Sequence, residues 1–269
     1  MALAPDVTEI VFALSAADRL VAVAETADYP AAASRLPRVD STSVEAILAH
    51  HPDLVLATTA GNDPRTVSLL SSLGIRTCTV DPSSLERIAE GFRLIAEVLG
   101  IPDRGGELAD SFRRRVQAAS SRVRALTPKG GLYIVWWEPL IVAGPGTFHH
   151  DLLAAAGIVN LAPGGAGRYP RLNPELLLDH RLEVVVVPDD EDSRTGFARV
   201  AAAPVGRRLT SGQVALLWLP ADPASRPGPR VADALEELVE KRLAGELALA
   251  RPLNQGFVPR LSTPGASVP

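Results

Sequence analysis

Between Asp103 and Leu126 a single apolar stripe runs through the middle of the chain. Leu108, Phe112, Val116, Ala119, Val123 and Leu126 recur every three or four residues, with Arg, Gln and Ser between them. That period is the mark of an amphipathic helix. At 1.5 Å per residue it predicts a helix roughly 30 Å long, longer than most in globular proteins. Pro128, Gly130 and Gly131 are expected to close it. Such a helix is either a rod between two lobes or an ordinary crossover inside one sheet, and spacing alone leaves both open.

On either side of it, short apolar runs alternate with helical patterns, which predicts an α/β architecture with mainly parallel strands. Strands are expected at 20–24, 54–57, 76–80, 132–135, 184–187 and 214–217. Their Val and Leu content without alternation suits strands buried on both faces. Helices are expected at 7–14, 44–49, 64–73, 85–99, 148–156, 174–178 and 231–243.

An internal repeat favours the rod. Set without gaps, Ser43 to Leu56 and Asn173 to Val186 align Glu45 with Glu175, Leu48 with Leu178, His50 with His180 and Val55 with Val185. Each stretch reads as a short helix with an acid in its first turn, then a polar turn, then a buried strand. A weaker echo pairs Glu9-Ile10-Val11 with Asp151-Leu152-Leu153. Two similar halves imply an N-terminal lobe over 1–102, a backbone helix over 103–127, a C-terminal lobe over 128–250 and a flexible, aperiodic tail over 251–269.

Composition narrows the function classes. The chain has 269 residues, 46% hydrophobic and 22% charged, as ordinary soluble proteins do. A net charge of -4, with Arg113-Arg114-Arg115 offset by Glu107 and Asp110, argues against a nucleic-acid partner. Cys78 is the sole cysteine, so neither an intrachain disulfide nor a cysteine-rich metal site is available. His50, His51, His149, His150 and His180 lack carboxylates or thiols at ligand spacing, and no metal held directly by side chains is expected. No nucleophile elbow or phosphate loop is present. Gly144-Pro145-Gly146-Thr147 reads as a turn and helix cap, and Asp189-Asp190-Glu191-Asp192 as a solvated acidic loop. Met1 to Pro5 lacks the charged and apolar regions of a signal peptide.

Ala4-Pro5-Asp6-Val7-Thr8-Glu9-Ile10-Val11-Phe12-Ala13-Leu14 resembles the opening helix of substrate-binding proteins of ABC importers, in the family of metal receptors with a helical backbone. Asp28-Tyr29-Pro30, Pro52 to Ala57, Leu73-Gly74-Ile75, Pro139-Leu140, Ala143-Gly144, Ala156-Gly157, Asn160, Tyr169-Pro170 and Glu175 continue the resemblance in order, from about residue 4 to about residue 243. It implies a class III periplasmic-binding-protein fold: two Rossmann-like α/β lobes with parallel sheets, joined by one long helix. It further implies a monomer, outside the cytoplasm, that captures a metal chelate in the interlobe cleft and delivers it to an ABC permease. Cobalamin or another corrinoid, haem and ferric siderophores are the chelates concerned; no further cofactor is implied. A cytoplasmic corrinoid-binding relative, and an enzyme on a chelatase-like scaffold, are the alternatives.

Within that resemblance Glu45 and Glu175 are expected to dock on the permease, one from the tip of each lobe. Tyr29, Trp136, Trp137 and Tyr169 are the aromatic candidates for a flat ligand, Arg168 for its carboxylates, and Thr58 and Asn62 for polar contacts. Adjacent residues of a strand point to opposite faces, so one of Trp136 and Trp137 is expected in the core. Thr26 and Thr58 stand where the cobalamin-binding proteins have aromatic rings, and Tyr169 where they have a tryptophan.

Overall fold

The computed structural model describes residues 1–165 and 167–249; the expected tail at 251–269 lies outside the described residues. In the N-terminal half, α1 (Pro5–Ala13) begins on a proline, whose missing N–H and fixed φ suit the first helical position. β1 (Val23–Ala24), β2 (Arg38–Val39), α2 (Val44–Ala49), β3 (Leu54–Thr58), α3 (Pro64–Ser72), β4 (Arg76–Val80) and α4 (Leu85–Val98) follow. Ser43, Asp63 and Ser84 cap the last three helices by accepting first-turn N–H groups. β1 pairs with β2 and β3 with β4, all parallel. Ala2 bridges Val23 on one side and Leu56 on the other, joining the two pairs into one sheet. Residues 1–3 thus supply the middle of this sheet, in a run too short to read as a strand.

α5 (Pro102–Val123) is the mid-chain helix, 22 residues and about 33 Å long. Gly130 and Gly131, expected to stop it, instead open β5 (Lys129–Trp136). A Cβ on Gly130 would lie 2.1 Å from the Arg181 carbonyl oxygen, and one on Gly131 2.5 Å from Ile158. Close strand approach is what demands glycine there. Next come β6 (Ile141–Val142), α6 (Phe148–Ala155), β7 (Ile158–Asn160), a 3₁₀ turn at Pro174–Leu178, β8 (Val184–Asp189), α7 (Glu191–Ala202), α8 (Arg207–Thr210), β9 (Ala215–Pro220), α9 (Ala221–Ser225) and α10 (Val231–Leu249). β5 pairs in parallel with β7 and β8, antiparallel with β6, and β8 in parallel with β9. The acidic run at 189–192 is no plain loop: Asp190 caps α7 through the Ser193 N–H, 2.6 Å away, and Asp189 pairs with Arg194.

The two sheets are separate, yet the lobes are not isolated. One apolar core runs from Val7, Ile10 and Phe92 through Phe112 and Ala119 of α5 to Tyr133, Leu152 and Leu235. α10 lies along α5, where Arg115 meets Glu236 and Asp233, and Arg122 meets Glu240. The rod is therefore a pair of helices sharing a core with both lobes, not a lone spacer.

Candidate functional site

In both sheets the carboxyl ends of the parallel strands face one crevice, the usual place for a ligand in α/β folds. A cleft of about 370 Å³ lies there, lined from both halves. The N-terminal lobe contributes Ala4, Pro5 and Asp6 at the start of α1, Thr58 to Gly61 after β3, and Asp81 to Ser83 after β4. Gly146, Thr147 and Phe148 at the start of α6, Arg168 and Tyr169, and Ser225 to Pro227 after α9 face them. The helices of the weak echo, α1 and α6, thus both begin at the cleft. Their N-termini bring partial positive charge to it from opposite walls.

The echoed acids serve the same end, each reaching into the other half. Asp151 of α6 accepts the Leu85 N–H at the start of α4, 3.0 Å away. Glu9 of α1 accepts two bonds from Arg230, at 2.8 and 2.5 Å. Burial raises the Glu9 pKa, and Arg230 and Arg226 oppose that shift. Arg226 is engaged in turn by Asp28 and by Asp222, at 3.1 Å from the latter. These contacts tie the two halves together, and Arg226 among them lines the cleft.

One wall is aromatic. Tyr169 meets the His149 ring edge-on at 6.1 Å, and His149 packs on Phe148 at 3.8 Å and on Tyr133 at 4.2 Å. Burial pushes the His149 pKa down to about 3, so the imidazole acts as an uncharged plate behind Tyr169. Tyr133 is fixed by donating to the Ala224 carbonyl, 2.8 Å away.

Charge enters the cleft through four side chains. Arg226 is already engaged as described. Arg168 reaches 3.9 Å from Asp81 across the opening, and Asp81 also accepts from the Thr59 hydroxyl at 3.2 Å. Asp6 is 3% exposed, and one of its carboxylate oxygens has no hydrogen-bond partner. Burial lifts its pKa to about 6, against the Val7 N–H and the Thr58 hydroxyl, which favour the charged form.

Of the residues singled out in the sequence, Thr58, Arg168 and Tyr169 line the cleft. Asn62 does not: its amide donates to the Leu3 carbonyl at 2.8 Å and accepts the Thr58 N–H at 2.9 Å, tying β3 to residues 1–3. Tyr29 is 45% exposed beside the lining, its ring 3.7 Å from the Arg230 guanidinium. Trp137 is buried in the C-terminal lobe against Phe197. Trp136 is 47% exposed but borders a separate depression with Glu138, Ser193 and Arg199. Neither tryptophan lines the cleft. Asp6, Asp81, Phe148 and Arg226 escaped the sequence reading, because each is an unremarkable residue whose meaning comes from its neighbours across the lobes.

Glu45 and Glu175 sit in matching frames. Each is exposed in the first turn of a short helical element. The cap of each, Ser43 or Asn173, touches the glutamate carboxylate, at 3.4 Å and 3.2 Å respectively. The strands that follow, β3 and β8, occupy equivalent places in the two sheets. Among the described residues neither acid has a cationic partner in the chain.

The sequence profile of the family described as "Periplasmic binding protein" matches residues 1–213. The vitamin B12-binding protein of Vibrio cholerae is 30% identical over 242 residues, covering 88% of this chain and 86% of that one. The periplasmic heme-binding protein RhuT of Roseiflexus sp. RS-1 superposes with a TM-score of 0.76 at 27% identity, over 90% of this chain and 97% of its own. The heme-binding protein BhuT, solved with two hemes, gives a TM-score of 0.77 at 28% identity, over 90% and 96%.

Proposed function

Because the chain belongs to the periplasmic binding protein family, we propose that it is the substrate-binding component of an ABC importer and captures a metal chelate of the corrinoid or porphyrin class. It acts outside the cytoplasm and performs no chemistry on its ligand. The observation that carries this reading is the cleft itself, open between two half-repeats and lined on one side by Phe148 and Tyr169, both in contact with the buried His149 ring. Vitamin B12 and heme, which those relatives bind, are each built on a broad macrocycle whose face or edge such a wall suits.

Because a shared core and the cross-lobe bonds of Glu9 and Asp151 hold the halves together, recognition relies on a largely preformed cleft rather than wide closure. Delivery then rests on Glu45 and Glu175, exposed acids at equivalent points that set register on a two-fold partner more than they add affinity. Titration calorimetry of the protein with cyanocobalamin and with haemin tests the first step; silence toward both refutes the chelate-receptor reading. Exchanging Glu45 and Glu175 for arginine is expected to abolish uptake while leaving ligand affinity unchanged. Uptake at the unmodified rate would refute docking through these residues.

A further inference from the structure

The cleft holds a carboxylate that the fold itself leaves incomplete. Asp6 opens α1 at the bottom of the crevice and is almost wholly buried, and its second oxygen finds no donor. A buried acceptor without a partner is costly, and the surroundings contain no ready remedy. The Thr58 hydroxyl and the Val7 N–H serve Asp6 already. Arg226 is held by Asp28 and Asp222, and Arg168 is drawn to Asp81 on the other side of the opening. A ligand entering the cleft therefore meets a floor that seeks donors, with both nearby arginines already facing acids.

We propose that Asp6 is the specificity-determining residue of this cleft, selecting a ligand that presents a hydrogen-bond donor there and turning away one that presents a carboxylate. The inference rests on the chelate-receptor reading and narrows it. A corrin ring carries carboxamide arms, whose N–H groups complete Asp6, whereas a haem propionate set against the same oxygen is repelled by it. The site thus favours the amide-bearing corrinoid over the dianionic porphyrin.

Calorimetric titration of the unmodified chain, Asp6→Asn and Asp6→Ser tests this with three probes: cyanocobalamin, a cobalamin monocarboxylate in which one ring amide is hydrolysed, and haemin. The unmodified chain is expected to bind cyanocobalamin most tightly. Asp6→Asn keeps a neutral acceptor and should weaken that binding a fewfold, whereas Asp6→Ser withdraws the acceptor and should weaken it about tenfold or more. Preference for the amide over its carboxylate should shrink in both, and haemin should bind no worse than before. Variants that keep the full cyanocobalamin affinity and the full preference overturn the role of Asp6 while the receptor reading stands. An unmodified chain that binds haemin more tightly than cyanocobalamin overturns it equally. Absence of binding to all three probes overturns the receptor reading, and this inference with it.

Discussion

Asp6→Asn offers a test that needs no ligand at all. Burial raises the Asp6 pKa from 3.8 to about 6. Because the folded value lies above the unfolded one, the native state keeps a proton that the unfolded chain has already released. The contribution is favourable and complete below about pH 4, then is lost as pH rises through about 6. Two pKa units correspond to about 3 kcal/mol, so ionised Asp6 destabilises the fold by roughly that amount near pH 7.5 and by under about 1 kcal/mol near pH 4. Asparagine has no charge to desolvate, but its amide inherits the missing partner, a pH-independent cost of about 1 kcal/mol. The variant should therefore be more stable by about 2 kcal/mol near neutrality, on the order of 5 °C in Tm, with that advantage gone near pH 4. Thermal unfolding of both proteins at the two pH values measures the difference, and comparison at each pH cancels the titrating groups that do not interact with Asp6. An equal shift at both pH values, or a variant less stable at neutral pH, refutes the reasoning.

Other residues give independent checks on the fold that supports the cleft. Trp137→Ala should cost about 3–5 kcal/mol, because a buried ring packed on Phe197 and Gly196 is replaced by a void. Trp136→Ala should stay within about 0.5 kcal/mol, since that ring is half-exposed; urea unfolding midpoints separate the two, and equal losses would contradict the burial. Arg230→Met should cost about 3 kcal/mol by leaving Glu9 buried without its closest cation. Adding Glu9→Gln to that variant should recover part of the loss, and a double variant as unstable as the sum of the single ones would show that the pair is not coupled.

Features set by local chemistry were legible in the sequence. The Ser43–Leu56 and Asn173–Val186 segments align because each must cap a short helix and then bury a strand, and those needs fix residue types at fixed spacing. The stripe from Leu108 to Val123 foretold α5 for the same reason. What it could not foretell is that α10 runs beside α5 and that Tyr133, Leu152 and Leu235 continue its core, since a stripe reports that a face is covered and not by what. Residues 1–3 do not read as a strand because Met-Ala-Leu is too short to carry a period, and only pairing with Val23 and Leu56 on either side makes it one. The acidic run at 189–192 reads as a solvated loop in the sequence because a cap and an exposed charge look alike until the helix behind them is seen.

The cleft was the least legible part, for a reason rooted in how it is made. Its wall and floor come from several strand ends and helix starts in two lobes, so no window of sequence contains the site. Duplication nevertheless left a trace. The weak echo between Glu9 and Asp151 marks helices that both begin at the crevice and both send an acid across it. In each case the acid meets a group from the opposite half: a backbone N–H at the start of α4 for Asp151, a guanidinium at the start of α10 for Glu9. The same helices carry, in their first turns, residues that line the cleft, Asp6 on α1 and Phe148 on α6. The lobes differ there, one offering charge and the other an aromatic face. Symmetry between the halves thus builds the gap, and their divergence at the helix starts gives it chemistry.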